Sequence, residues 1–297
     1  MNAPLVVGLG RIGVAISGLA PNLPAPGAAS ELAAFSTSPA PGVAIALRAA
    51  LRLGCRARAV GTHGADLLGQ LARSALREAG VELDMMSAVG TSACDFAFVA
   101  GDGTMRTRYS GDRGEPVPLD YGATLDGAAA LLIDGTEPAD QLRAAGLAKQ
   151  QKVPVIFDVI ELRPETEELV AVSDILLASE REASELAPRG ELADALAELL
   201  KMGPRAVVIT LGAEGAIGRH GEQVVTCAPF ASEVLDSYGA GSVFHGAFVA
   251  ALLSELPFTR CIELACAAAA LSLRELGPWS AMPAREDVLA LTRTRRT

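Results

Sequence analysis

Between Leu235 and Phe248 the chain reads LDSYGAGSVFHGAF. Gly239, Ala240 and Gly241 stand where a run of small and apolar residues, from Val243 to Leu252, is dense enough for a buried helix. Glycine at that point lets the backbone turn tightly and lets a ligand reach peptide N–H groups that lack partners in a helix's first turn. Backed by the helix dipole, those groups suit an anion, most naturally phosphate. The same spacing also fits a tight packing junction, so the rest of the chain has to decide between the two.

Half of the 297 residues are hydrophobic, enough for a large core. The net charge of −10 and pI near 4.9 argue against nucleic acid or an anionic membrane as the main partner. A phosphorylated ligand therefore has to be held by local donors, not by a basic field. Cys55, Cys94, Cys227, Cys261 and Cys266 are scattered, with no zinc-ligand or CxxC spacing, and predict reduced, mostly buried thiols in a cytoplasmic protein. Met1–Pro4 lacks the basic start of a signal peptide. His245 and Glu263 interrupt the apolar helices near the C-terminus before the ~18–20 residues of a membrane span. The expectation is a soluble protein.

Leu5–Gly10 reads as a buried strand, and GLGRIG at Gly8–Gly13 matches the GxGxxG dinucleotide fingerprint. That fingerprint needs a helix directly afterwards. Pro21, Pro24 and Pro26 forbid a long one here, so a strand, a turn and a second short strand are expected. Helices are predicted over Val43–Leu53 and over Asp66–Ala79, the latter capped by Asp66 and closed by Gly80. Ala57–Gly61 is a short strand between them. Cys94–Ala100 and Thr104–Tyr109 flank Gly101-Asp-Gly103 as a β-hairpin, with Arg106 and Arg108 on one face. Strands then alternate with helices. Ala128–Ile133, Val153–Phe157, Asp174–Ala178 and Ala206–Thr210 are strands; Pro138–Gln151, Glu180–Leu186 and Glu191–Met202 are helices. Two short strands follow through Cys227, and helices dominate after Gly239. Alternation of this kind means a mostly parallel sheet covered on both faces, with ligands beyond the strands' carboxyl ends. Asp158, Ser179–Glu182, Thr210–Gly215 and Asp236–Ser242 share that edge.

Taken together, these segments resemble the ribokinase-like (PfkB) carbohydrate kinase family over nearly the whole chain. LDSYGAGSVFHGAF is similar to the family's D-T-x-G-A-G-D signature, and Val207–Ala216 (VVITLGAEGA) to the strand and loop before the adenine pocket. Arg52–Gly69 resembles the first signature region, and Asp174–Leu186 the segment carrying N-x-x-E. A Walker A GxxxxGK[ST] is missing, so a P-loop kinase is not the alternative.

The resemblance implies an α/β three-layer sandwich. It predicts one domain over residues 1–297, with a small β lid from about 11–20 and 94–110 and commonly a homodimer contact there. It implies transfer of the ATP γ-phosphate to a sugar-like hydroxyl. Gly239, Ala240 and Gly241 would supply the anion hole, and Thr210, Gly212 and Gly215 would lie along the nucleotide. Glu182 would hold Mg²⁺ through water, and Asp236 would stand close to a monovalent-cation site.

The departures fall on side-chain chemistry. The family's catalytic Asp position is Ser242, whose hydroxyl is no base near neutral pH without an activator. The lid Asp that binds sugar hydroxyls corresponds to Ala15. The G-G-x-x-x-N sugar segment reads Ala40–Ala46, with Gly42 in its turn and its Asn replaced by Ile45 or Ala46, depending on where a gap falls. The Asn of N-x-x-E is Ser179. His245 is a candidate replacement base or a helix residue facing a neighbour. His63, between two glycines, reads as a rim residue, and Arg106 as a lid residue able to reach an anion or as part of a solvated face. Two readings remain: an ATP-dependent carbohydrate kinase, or a degenerate homologue that binds a nucleotide or small ligand without efficient transfer.

Overall fold

The computed structural model describes residues 3–295 except 24, 26, 101, 102, 116, 189 and 281, so Pro24, Pro26 and the Gly101-Asp102 hairpin tip lie outside the described residues. The main sheet is built on β1 (Leu5–Leu19), β3 (Arg56–His63), β4 (Glu82–Ala88), β7 (Ala128–Ile133), β8 (Val155–Asp158), β9 (Ile175–Ser179), β10 (Ala206–Thr210), β11 (Ala216–His220) and β12 (Gln223–Cys227). Its order is β12-β11-β10-β9-β8-β7-β1-β3-β4. All neighbours are parallel except β10-β11 and β11-β12. The second half of β1 leaves this sheet. Gly13–Leu19 pairs antiparallel with β2 (Ala34–Ala40), and Val14–Leu19 parallel with β5 (Cys94–Ala100), which pairs with β6 (Gly103–Tyr109).

Alternating side chains carry the sheet into two cores. Val6, Ala206 and Val208 point to one face, packed with α1 (Val43–Arg52), α2 (Leu67–Glu78), α8 (Ala240–Leu253), α9 (Phe258–Ser272) and α10 (Arg285–Arg293). Leu5, Val7, Val207 and Ile209 point to the other, against α3 (Tyr121–Leu125), α4 (Pro138–Gln150), α5 (Thr166–Val172), α6 (Glu180–Leu186) and α7 (Leu192–Lys201). The predicted α/β class and layer order are what the chain adopts. Asp66 caps α2 as expected, accepting from Gly69 N at 2.9 Å.

The expectation of two strands separated by a turn near Gly10 is corrected: β1 is one strand of 15 residues. The cause lies in close approach, since a Cβ at Gly13 would collide with the Ala93 carbonyl and one at Gly10 would stand 2.8 Å from Asp134 Oδ1. His63 is not a rim residue either. It ends β3 between Ile12 and Ala88, is buried, and its Nδ1 lies 2.9 Å from Gly64 O.

Candidate nucleotide and acceptor site

β8, β9 and β10 end side by side at Asp158, Ser179 and Thr210, the edge expected to carry ligands. After Thr210 the chain makes one 3₁₀ turn, Gly212–Glu214, closed by Leu211 N donating to Gly215 O at 2.8 Å. Gly215 is pinned against the Cys227 carbonyl, whereas a Cβ on Gly212 would meet nothing within 4 Å. The turn therefore has one anchored glycine and one facing open space.

Helix α8 begins as its sequence predicts. Gly239 is its N-cap at φ 78°, a left-handed conformation that favours glycine. Val243 N to Gly239 O, 3.0 Å, is the first i→i−4 bond, so the N–H groups of Gly241 and Ser242 precede the helical ladder. A Cβ at Gly241 would also meet nothing within 4 Å. Open glycines at Gly212 and Gly241 leave room for a phosphate chain against backbone donors, so these residues fit a nucleotide. Asp236 braces the turn, accepting from Tyr238 N at 2.8 Å and from Gly277 N at 3.0 Å.

The residues expected on the acceptor side differ in character. Ala15 and Ile45 are each 1% exposed. The place a Cβ would take on Gly239 is 2.7 Å from Pro278 Cβ and 3.1 Å from Ile45 Cδ1, so a proline ring and a sec-butyl side chain both pack against the glycine turn. Gly42, φ 38°, has no room for a side chain: Asp134 Oδ2 at 2.8 Å and Ile160 Cδ1 at 3.2 Å flank it. Asp134 lies under this floor, fully buried, and accepts from Thr136 N and Oγ1, Gln141 Nε2 and Val43 N. Burial pushes its carboxyl up to about 6, against the downward pull of those donors.

Hairpin residues meet the turn before α8. Tyr238 donates to Asp95 Oδ2 at 2.5 Å, and Arg108 donates to the same carboxylate through Nε (2.5 Å) and Nη2 (3.0 Å). Arg108 Nη1 stands 3.6 Å from Glu161 Oε2. The Asp95 hydrogen bond raises the Arg108 guanidinium, and burial, then Asp95, raises the Tyr238 phenol. Arg106 donates to Ser237 Oγ at 2.7 Å, so its side chain is committed to the turn before α8.

His245 is buried, with Nδ1 2.7 Å from Asp158 Oδ1, which packs the second turn of α8 onto the end of β8. It is thus a helix residue facing a neighbour. Glu182 is buried in the capping box of α6, bonded to Ser179 N at 3.1 Å, to Ser179 Oγ and to Arg181. Among the described residues no group of three or more His, Cys, Asp or Glu is gathered as a metal cage.

The sequence reading missed Asp134, Asp95 and Tyr238. Asp134 could have been found by the rule that selected Asp158, an Asp directly after a buried parallel strand. Asp95 carries no local signal, because its partners come from β6 and from the turn 143 residues away.

A profile of the pfkB family of carbohydrate kinases matches residues 6–285. The chain belongs to that family. Among pfkB relatives, the ribokinase of Haemophilus influenzae is 27% identical over 254 residues, covering 81% of this chain and 83% of its own. The Arabidopsis thaliana ribokinase complexed with ribose and ATP superposes with a TM-score of 0.86 at 26% identity, covering 99% of both chains. The Thermotoga maritima ribokinase shares the fold, with a TM-score of 0.82 at 23% identity, covering 98% of this chain and 99% of its own. Kinase ancestry and a ribokinase-like fold are therefore plain.

Proposed function

We propose that this pfkB family member binds a nucleotide, ATP or ADP, along Thr210–Gly215 and Gly239–Ser242, and transfers phosphate to sugar hydroxyls negligibly. The observation that carries the reading is Ile45, which together with Pro278 fills the space against Gly239 with hydrocarbon. A sugar hydroxyl brought to the same place would lose hydrogen bonds to water and gain none from Ile45 or Ala15. Gly241 and Gly212 would meet the phosphates through backbone, so losses at side chains leave nucleotide binding in place. Glu182 would hold Mg²⁺ through water, and Asp236 keeps carboxylate lone pairs for a monovalent cation.

Calorimetry with millimolar ATP and ADP, with and without Mg²⁺, is the test. Weak to moderate binding, with Mg²⁺ required for the triphosphate, is expected. Gly241→Val should abolish it while the melting temperature holds, since the space above Gly241 is open in the free protein. No heat with any nucleotide, or unchanged affinity in Gly241→Val, would remove the phosphates from this turn.

In this reading the chain is one domain acting in the cytoplasm, and the smaller sheet is its lid. Phe35, Met105 and Tyr109 are exposed on β2 and β6, both of which pair with a single neighbouring strand. A second copy would cover these edges and apolar groups, making a homodimer. Light scattering at micromolar concentration should give twice the mass of the chain; a monomer at those concentrations counts directly against the lid contact.

A further inference from the structure

Where the chain passes from the end of α9 at Ser272 to the start of α10 at Arg285, it borders a cleft of about 570 Å³. That is within the roughly 300–1,000 Å³ of small-molecule sites. Leu271, Met282 and Leu291 give it an apolar lining, and Ala284 and Ala290 put methyl groups where longer side chains would fill it. None of its lining residues belongs to Thr210–Gly215 or Gly239–Ser242, so it is a second place, apart from the nucleotide turn.

Four charged side chains line the same cleft: Arg52 in the last turn of α1, Arg274 and Glu275 just after α9, and Asp287 in the first turn of α10. Among the described residues, none of the four has an ion-pair partner within 4.0 Å. Opposite charges pair elsewhere on these helices, as Arg260 does with Glu263 on α9. Helix dipoles account for a cation at the end of α1 and an anion at the start of α10. They do not account for two cations and two anions around one space that leave each other unpaired. Arg274 donates through Nε to Ser232 Oγ at 3.2 Å, which steadies the guanidinium and leaves its Nη groups unbonded.

The α1 corner of the cleft is cationic without compensation. Arg48, one turn before Arg52, lies 4.2 Å over the Trp279 ring, and its Nε is buried with no acceptor. Burial, then Arg52, lowers the Arg48 guanidinium, and no carboxylate of the chain opposes them.

We propose that this cleft binds a zwitterion of the amino-acid class, either a free amino acid with a large apolar side chain or a dipeptide. Its carboxylate meets Arg52 and Arg274, its ammonium meets Glu275 and Asp287, and its side chain lies on Leu271, Met282 and Leu291. The four protein charges sum to zero, which selects against a phosphate ester. A dianion would meet two arginines but also face two carboxylates. A zwitterion satisfies both signs at once. The inference uses neither the glycine turn nor phosphotransfer, so it stands apart from the proposed function.

The test is calorimetry on the full chain, without nucleotide, using millimolar L-leucine, L-phenylalanine and the dipeptide Leu-Leu. At least one should bind, and the tighter of leucine and Leu-Leu assigns the free amino acid or the peptide. N-acetyl-leucine lacks the ammonium and leucinamide the carboxylate. Each should bind about tenfold more weakly than leucine, as expected for losing one charge-assisted contact. Arg52→Ala and Asp287→Ala change exposed side chains, so each should weaken binding by a similar factor while the melting temperature holds. No heat with any of the three zwitterions, leucinamide and N-acetyl-leucine binding as tightly as leucine, unchanged affinity in both variants, or binding of inorganic phosphate alone would each overturn the inference.

Discussion

Phosphotransfer by the unmodified chain should remain at the no-acceptor background across a panel of sugars and nucleosides, and Ser242→Asp alone should barely raise it. A positioned general base contributes on the order of 10²–10⁴-fold, but only to a hydroxyl already held in line with the phosphate. Ile45 and Ala15 hold no hydroxyl. The combined variant Ala15→Asp, Ile45→Asn, Ser242→Asp is the one expected to show turnover well above the single variant. A coupled ADP-release assay decides this, run beside a thermal melt because the first two changes bury new polar groups. Robust turnover by the unmodified chain would overturn the degenerate reading, and the buried His245–Asp158 pair would then be the first candidate for the base. Strong rescue by Ser242→Asp alone would show that only the base is missing.

Folding stability should rise as pH falls from about 7.5 to 5.5, the reverse of a protein dominated by surface ion pairs. Asp134 titrates near 6 when folded, against its ordinary 3.8. A carboxyl raised in this way contributes stability that is complete below the lower value and is lost as pH climbs through the higher one. At about 1.4 kcal/mol per pH unit, the gap between the two values corresponds to about 3 kcal/mol withdrawn by neutral pH. Asp66 and Glu82 act oppositely. Burial opposes their ionisation, but hydrogen bonds from Ser92 and Gly69 to the first, and from Arg56 and Arg58 to the second, hold them low. Their contribution fades only at more acid pH, so the two trends separate. Urea midpoints measured from pH 5 to 8 should decline toward the alkaline end, and Asp134→Asn should flatten the profile. A flat wild-type profile, or an undiminished slope in the variant, would sink the assignment.

The parts legible in the sequence are those governed by neighbours along the chain. The Asp66 cap, the alternation through β7–β10 and the glycines opening α8 depend on residues within a turn or a strand of one another. Strand β1 was misread because its glycines look like a turn until Ala93 and Asp134 are seen pressing against them. β4 (ELDMMSA) went unrecognised because one inward leucine gives no clear alternation. At the site, the glycine turn opening α8 was readable because its form depends on backbone alone. Asp134's burial and the Asp95–Tyr238 bond are set by segments that meet only after folding.

One strand serves two sheets. Leu5–Leu9 of β1 lies between β3 and β7, while Val14–Leu19 lies between β2 and β5. In the proposed reading the cover over the site is thus not hung from a loop that could swing; it is the far end of a stiff spar rooted in the centre of the protein. The residue at the join is Gly13, pressed so closely on Ala93 that a methyl group would foul it. Opening, in that reading, would mean twisting the spar about that point, with Tyr238, bonded to Asp95, drawing the glycine turn of α8 along.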